Sequence, residues 1–106
     1  HNKLGASWEG FALESTIRAV GKRAEELSFW ATHSGAEVDL FWQHAGKNLA
    51  VEVKYAEAPR LTPSMRSALV DLELDHLWVV YPGDRSYPLN ERVTVLPLDQ
   101  LGEVFP

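Results

Sequence analysis

The chain contains no cysteine among its 106 residues, so it can form neither a disulfide scaffold nor a thiolate zinc site. It has no apolar run of about 18 residues and no signal-peptide pattern, so the sequence predicts no membrane span. It also lacks an excess of positive charge, since its formal net charge is −5. A surface that holds nucleic acid by bulk electrostatics is expected to be basic. That kind of binding is therefore disfavoured, unless divalent cations neutralise some of the carboxylates.

What is present indicates one globular domain. Hydrophobic residues make up 45% of the chain, and its length suffices for a single core. The sequence starts without methionine or leader, and residues 1–6 lead directly into a helical pattern. We therefore expect residues 1–106 to be a single domain cut from a longer protein.

Two runs of alternating apolar and polar residues, Gly35–Trp42 and Leu49–Lys54, predict two half-buried strands. The short link between them holds Gly46 where a tight hairpin needs positive φ. With Ala45 and Gly46 at the tip, His44 faces Lys47 and the rest of the register follows. This register predicts one wholly apolar face, made of Val38, Leu40, Trp42, Leu49, Val51 and Val53.

On the opposite face the same register sets Asp39 against Glu52 and Glu37 against Lys54. Facing side chains in an antiparallel pair lie roughly 4.5–5.5 Å apart at Cβ, where like charges are destabilising. Two carboxylates placed so closely on a semi-buried face predict a cation between them. The alternative is that Asp39 and Glu52 are separate solvated charges and that Lys54 merely pairs with Glu37.

Ser7 is the predicted N-cap of a first helix that runs from Trp8 to about Glu26. Apolar residues recur along it every three or four positions and predict one buried stripe: Leu13, Ile17, Val20, Ala24 and Leu27. One turn before this stripe lies Glu9, which we therefore expect on the core side. The alternative is that Glu9 only complements the helix dipole.

The remaining elements complete a predicted α/β sandwich in the order αβββαββ. A short strand is expected at residues 27–32, and a second helix from Thr62 as N-cap to about Leu74. That helix should bury Met65, Leu69 and Leu72. The apolar run at residues 77–81 predicts a strand covered on both faces. A polar loop with Pro88 and a last strand at residues 93–96 follow.

The combination of Glu9, Asp39, Glu52 and Lys54 is suited to phosphodiester hydrolysis. Carboxylates hold a hard cation through oxygen ligands. Such a cation lowers the pKa of a bound water and stabilises charge that develops on the phosphate. A nearby lysine can orient or deprotonate the water, or stabilise the phosphorane.

These residues resemble the PD-(D/E)XK nuclease superfamily, through the glutamate-bearing helix, the strand Gly35–Asp39 and the strand Val51–Lys54. More narrowly, Lys3–Glu9 together with the two strands resembles the uncharacterised C-terminal domain of many prokaryotic AAA+-type ATPases. The resemblance extends from Leu4 to about residue 80. It departs from the common pattern at Val38, where many members have proline before the aspartate.

The resemblance implies a restriction-endonuclease-like αβββαβ sandwich, with a central mixed sheet flanked by helices. It implies that Asp39 and Glu52 bind Mg²⁺ or Mn²⁺ with help from the Val53 carbonyl. It further implies that Glu9 supports the metal or its water and that Lys54 is the catalytic lysine. The implied partners are DNA, branched or damaged DNA included, and a covalently linked ATPase domain that alone would bind ATP. We expect a cytoplasmic location and leave an oligomer open.

Two interpretations of function follow. The first is a metal-dependent DNA endonuclease domain attached to the ATPase. The second is a catalytically silent nuclease-fold module that binds DNA or protein, which the acidic balance favours. Arg60 and Arg66 could contact phosphates, although solvated arginines are commoner. Two further sets are expected to be mainly structural: the histidines His33, His44 and His76, and the tryptophans Trp8, Trp30, Trp42 and Trp78.

Overall fold

The structure is a computed structural model that describes residues 3–33 and 35–106. It is a mixed α/β fold with one six-stranded sheet between two helices. Its helices and strands are α1 Lys3–Val20, β1 Ser28–Ala31, β2 Glu37–His44, β3 Lys47–Val53, α2 Pro63–Asp71, β4 His76–Tyr81, β5 Tyr87–Asn90 and β6 Val93–Pro97. Short 3₁₀ helices span Ala24–Glu26 and Leu98–Glu103.

The strand order across the sheet is β1-β2-β3-β4-β6-β5. Strands β1, β2 and β3 form an antiparallel meander, and β5 pairs antiparallel with β6. Strands β3, β4 and β6 run parallel, so their carboxyl ends lie at one edge of the sheet. Ligands of open α/β sheets bind at such an edge.

The helices cover opposite faces of the sheet and divide the core into two clusters. Helix α1 contributes Ala12 and Val20 to one cluster, and α2 contributes Met65, Ala68 and Leu69 to the other. Along β4, the side chains of successive residues alternate between the two clusters, and residues 77–81 are all buried. The predicted strand covered on both faces is confirmed.

Helix α1 differs from the prediction at both ends and in its buried face. It begins at Lys3, so Ser7 lies inside it and is not an N-cap, and it ends before Gly21, which adopts a φ of +71°. Its fully buried residues are small or β-branched: Gly5, Ala12, Thr16 and Val20. Ile17 is 37% exposed, so the predicted stripe is wrong there. Small side chains let the helix lie close to the sheet, and the Thr16 hydroxyl donates to the Ala12 carbonyl at 2.8 Å.

The predicted hairpin register is confirmed from His44–Lys47 to Leu40–Val51. Ala45 and Gly46 both have positive φ, 51° and 79°, as a two-residue type I′ turn requires.

Helix α2 begins as predicted, because the Thr62 hydroxyl accepts a hydrogen bond from the Met65 N–H at 3.1 Å. It ends at Asp71, with Leu72 half-buried as its C-cap.

The expected polar loop around Pro88 instead contains strand β5. Proline lacks an N–H and is tolerated at the border of a sheet, and β5 is its outermost strand. Within the part of the chain that the structure describes, no helix is long and apolar enough to cross a membrane.

Candidate active site

The candidate site lies where β2 and β3 separate. The antiparallel ladder between them ends at Leu40–Val51, while β3 continues beside β4 with Glu52 opposite Val79. The Lys54 N–H donates to the Val80 carbonyl at 2.8 Å, so the polar groups of Val53 face the other way, toward β2. The separation leaves an opening between Val53 and β2.

The Asp39 carboxylate occupies this opening. Its Oδ2 accepts a hydrogen bond from the Val53 N–H at 2.8 Å, in place of a β2 carbonyl. The N–H and C=O of one strand residue point to the same side, so the Val53 carbonyl faces the same opening. Burial raises the pKa of the Asp39 carboxyl, the Val53 hydrogen bond partly offsets this rise, and the charges of Glu9 and Glu37 add to it.

The backbone around Asp39 is irregular, which the sequence register did not predict. Ser28 pairs with Phe41 and Trp30 with Val38, so two residues of β2 lie opposite Phe29 of β1, as in a β-bulge. Val38 consequently packs in the cluster on the α2 side, whereas Leu40 packs on the α1 side. The predicted single apolar face of β2 and β3 is correct for the other five residues and wrong for Val38.

Among the acidic residues of the site, Glu52 has the largest shift in pKa. Its Oε2 is buried and has no hydrogen-bond partner among the described residues. Burial raises the pKa of the Glu52 carboxyl from 4.5 to about 7; Lys54 opposes this rise, and Asp39, Glu37 and Glu9 reinforce it. Burial is thus the main cause of this pKa shift, and the neighbouring like charges contribute less.

Glu9 connects α1 to the end of β3. It is half-buried, and its Oε2 accepts a hydrogen bond from the Tyr55 N–H at 3.2 Å. The neighbouring Trp8 ring lies 5.8 Å from the Tyr55 ring between centroids. Glu9 therefore fixes the chain directly after Lys54, and it acts electrostatically on both Asp39 and Glu52.

Lys54 shares the electrostatic environment of these carboxylates without pairing to one. In the parts of the chain described, residues 3–33 and 35–106, the only ion pair within 4.0 Å joins Arg23 and Glu26. The predicted alternative, in which Lys54 pairs with Glu37, is therefore wrong. Glu37 pairs with Ala31 of β1 because the β2–β3 ladder has ended before it. Its charge nevertheless raises the pKa of Asp39 and Glu52, a contribution that sequence reasoning missed.

The next feature is the set of oxygen ligands that the site offers to a metal ion. Among the described residues, no three acidic or histidine side chains are grouped so that they could hold one ion. Asp39 accepts a hydrogen bond from the Val53 N–H, its charge raises the pKa of Glu52, and the buried Glu52 Oε2 lacks a partner among the described residues. Mg²⁺ is usually bound by one or two carboxylates and keeps several waters. This donor set fits Mg²⁺ or Mn²⁺ better than a cation that needs a complete protein cage.

The structure does not bring the predicted arginines to the site. Arg60 lies on the exposed connector before α2 and Arg66 on the exposed side of α2. Neither guanidinium makes a hydrogen bond or ion pair within the described part of the chain.

Two of the three singled-out histidines and two of the tryptophans make structural contacts, as predicted. His76 bonds Thr94 at 2.8 Å, and His44 Nδ1 contacts the Lys22 amine at 2.9 Å. Trp42 stacks on Trp78 in the core, with 6.1 Å between centroids. Trp30 is the exception, since it is 43% exposed.

Comparison with known proteins identifies relatives without assigning a role. A family model described as a domain of unknown function, DUF4143, matches residues 4–101. The uncharacterized proteins Mb2031c of Mycobacterium bovis and Rv2008c of Mycobacterium tuberculosis are each 43% identical over 99 residues. These matches cover 93% of this chain and 22% of each relative, so the chain spans less than a quarter of their length. No solved structure gives a significant match.

Proposed function

This chain belongs to the DUF4143 family, whose function is unknown, and we propose that it is a metal-dependent nuclease domain of the PD-(D/E)XK type that hydrolyses phosphodiester bonds in DNA. The observation that carries the proposal is the Glu52 carboxylate, which has a buried oxygen without a partner and directly precedes Val53, whose N–H bonds Asp39. A buried carboxylate without a partner is costly. A cation held at this opening would supply the missing interaction.

The topology also supports the proposal. The order α1-β1-β2-β3-α2-β4 agrees with the αβββαβ order of the proposed restriction-endonuclease-like sandwich, and Asp39 and Glu52 lie beyond the last β2–β3 ladder pair. Asp39 and Glu52, together with the Val53 carbonyl, would hold Mg²⁺ or Mn²⁺. When bound, the cation supplies an acidified water and a positive charge at the phosphate.

The chain's own residues would perform the remaining tasks. The Lys54 ammonium group forms no ion pair with the described residues, so it is available to orient a water or to stabilise negative charge on the phosphate. Glu9 holds the backbone at Tyr55 and thereby positions Lys54. The half-buried environment of Asp39 and Glu52 strengthens each of these electrostatic interactions.

A catalytically silent module for binding DNA or protein is the second candidate. The net charge of −5 and the absence of a three-ligand group among the described residues favour it. In either case, attachment to an AAA+-type ATPase belongs to the proposal and accounts for the much longer relatives.

Cleavage assays on branched, single-stranded and linear DNA with Mg²⁺ or Mn²⁺ test the proposal. We expect the wild type to nick or cut at least one substrate. Asp39→Asn should lose metal affinity, because it removes a charge from the ion's ligands. Lys54→Ala should keep the metal and lose turnover. Glu57→Gln, which changes an exposed carboxylate on the connector, is the matched control and should retain both. DNA binding without cleavage under any of these conditions would favour the silent module.

A further inference from the structure

An exposed aromatic residue lies beside the candidate site. Phe29 of β1 is 78% exposed, and it sits opposite the irregular segment of β2 that contains Asp39. Two open depressions, of about 390 and 270 Å³, share three lining residues: Leu13, Phe29 and Asp39. The Phe29 ring thus borders two depressions that both reach a proposed metal-binding carboxylate.

The larger depression combines apolar walls with one positively charged side chain. Its walls are mainly apolar, with Leu13, Ile17 and Leu27 beside Phe29. Lys22 also lines it and brings a positive charge. Its volume lies within the range of roughly 300–1,000 Å³ typical of small-molecule sites. A ligand that suits it has a flat apolar face and a negative charge close by, which are the properties of a nucleotide.

We propose that an unpaired base of the DNA strand stacks on Phe29 and enters this groove, while a neighbouring phosphate lies at the proposed cation site of Asp39 and Glu52. The inference rests on the proposed function and specifies its substrate class. Stacking on an aromatic side chain tolerates any base, because every base has a π-face. A base inside a duplex hides both faces, so it must be unstacked before it can enter. The domain should therefore prefer single-stranded flaps or gaps to continuous duplex.

A second copy of the chain is a weaker candidate for this surface. Strand β1 is an exposed edge, but it contains only four residues. Pairing along it offers little of the roughly 800 Å² that a stable interface buries on each partner. The groove, in contrast, is continuous with the candidate site through Asp39.

The test uses 2-aminopurine, a fluorescent base whose emission falls when it stacks. The label is placed either in a short single-stranded flap or in the matching duplex, and binding is measured with Mg²⁺ in a Lys54→Ala background, which should not consume the DNA. We expect the flap to bind about fivefold tighter or better, with quenched emission. Adding Phe29→Ala should abolish both effects. Adding Phe11→Ala, which removes another exposed ring that lines neither depression, should leave them intact.

Two outcomes would overturn the inference. One is that Phe29→Ala binds flap and duplex with the wild-type ratio. The other is a wild-type dimer, detected by light scattering, that Phe29→Ala converts to a monomer, because a second copy would then cover the ring. The proposed function fails separately: if no divalent ion supports cleavage while flap binding still depends on Phe29, only the hydrolysis is wrong.

Discussion

At the scale of single residues, Glu52 is the group of the site whose ionisation should destabilise the native state most. The folded protein raises the pKa of this carboxyl from 4.5 to about 7, with burial as the main cause. The native state therefore binds more protons than the unfolded chain between these pH values. Its stability should fall as pH rises through this window, by on the order of 3 kcal/mol in total, and then level off above pH 7.

We predict that Glu52→Gln removes this loss. In EDTA the variant should match the wild type near pH 4.5 and exceed its free energy of unfolding at pH 8, because no charge is then buried without a partner. Urea denaturation at several pH values measures the difference, and subtracting the two curves cancels the titrating groups that do not interact with Glu52. Glu57→Gln should change nothing. A variant that is less stable than the wild type at pH 8 would show that the charge is already compensated in the native protein.

The sequence was sufficient to place Asp39 and Glu52 on the two strands of one hairpin, because strand periodicity and the tight turn at Gly46 fix its register from the tip. It was not sufficient to describe their environment. The ladder ends at Leu40–Val51, and the Asp39 side chain replaces a backbone acceptor beyond that point. This exchange depends on β3 continuing beside β4, a tertiary contact that no local pattern encodes.

At the scale of elements, the start of a helix could be predicted from the sequence where a side chain caps it. Thr62 caps α2 through a hydrogen bond to the Met65 N–H. We predict that Thr62→Ala lowers the free energy of unfolding by about 1 kcal/mol, because it leaves that N–H unsatisfied at the helix start. Chemical denaturation measures the loss. Ser64→Ala, two residues further along, is the matched control and should be close to neutral. An equal loss in both variants would mean that the Thr62 cap does not account for the effect, because alanine itself favours the helix interior.

The bounds and the buried face of α1 were not predictable in the same way. Periodicity favoured Leu13 and Ile17 as core residues because they are large and apolar. Leu13 packs against the cluster on the α1 side and is partly buried, but Ile17 is exposed. The fully covered positions are Ala12 and Thr16, whose small size allows close approach. Hydrophobicity ranks side chains by the area they can bury, whereas helix–sheet packing also depends on backbone distance. Leu13 and Ile17 also line the groove beside Phe29.

At the scale of the whole molecule, a bound cation should couple the site to global stability. A ligand that binds only the native state stabilises it by ~1.4 kcal/mol at ten times its dissociation constant. We predict that Mg²⁺ raises the melting temperature of the wild type at pH 8. At pH 6 the apparent affinity should be roughly tenfold weaker, because Glu52, with a pKa of about 7, must first lose its proton.

The variants determine where the cation acts. Asp39→Asn should abolish the Mg²⁺-dependent rise in melting temperature, while Lys54→Ala should preserve it, because lysine is not a ligand. The chain carries 15 acidic residues against 10 basic ones, so weak cation binding elsewhere on its surface is the competing explanation. Such binding would produce the same rise in Asp39→Asn as in the wild type, and little change between pH 6 and pH 8. A rise confined to proteins that retain Asp39, and lost on acidification, requires a cation held between β2 and β3.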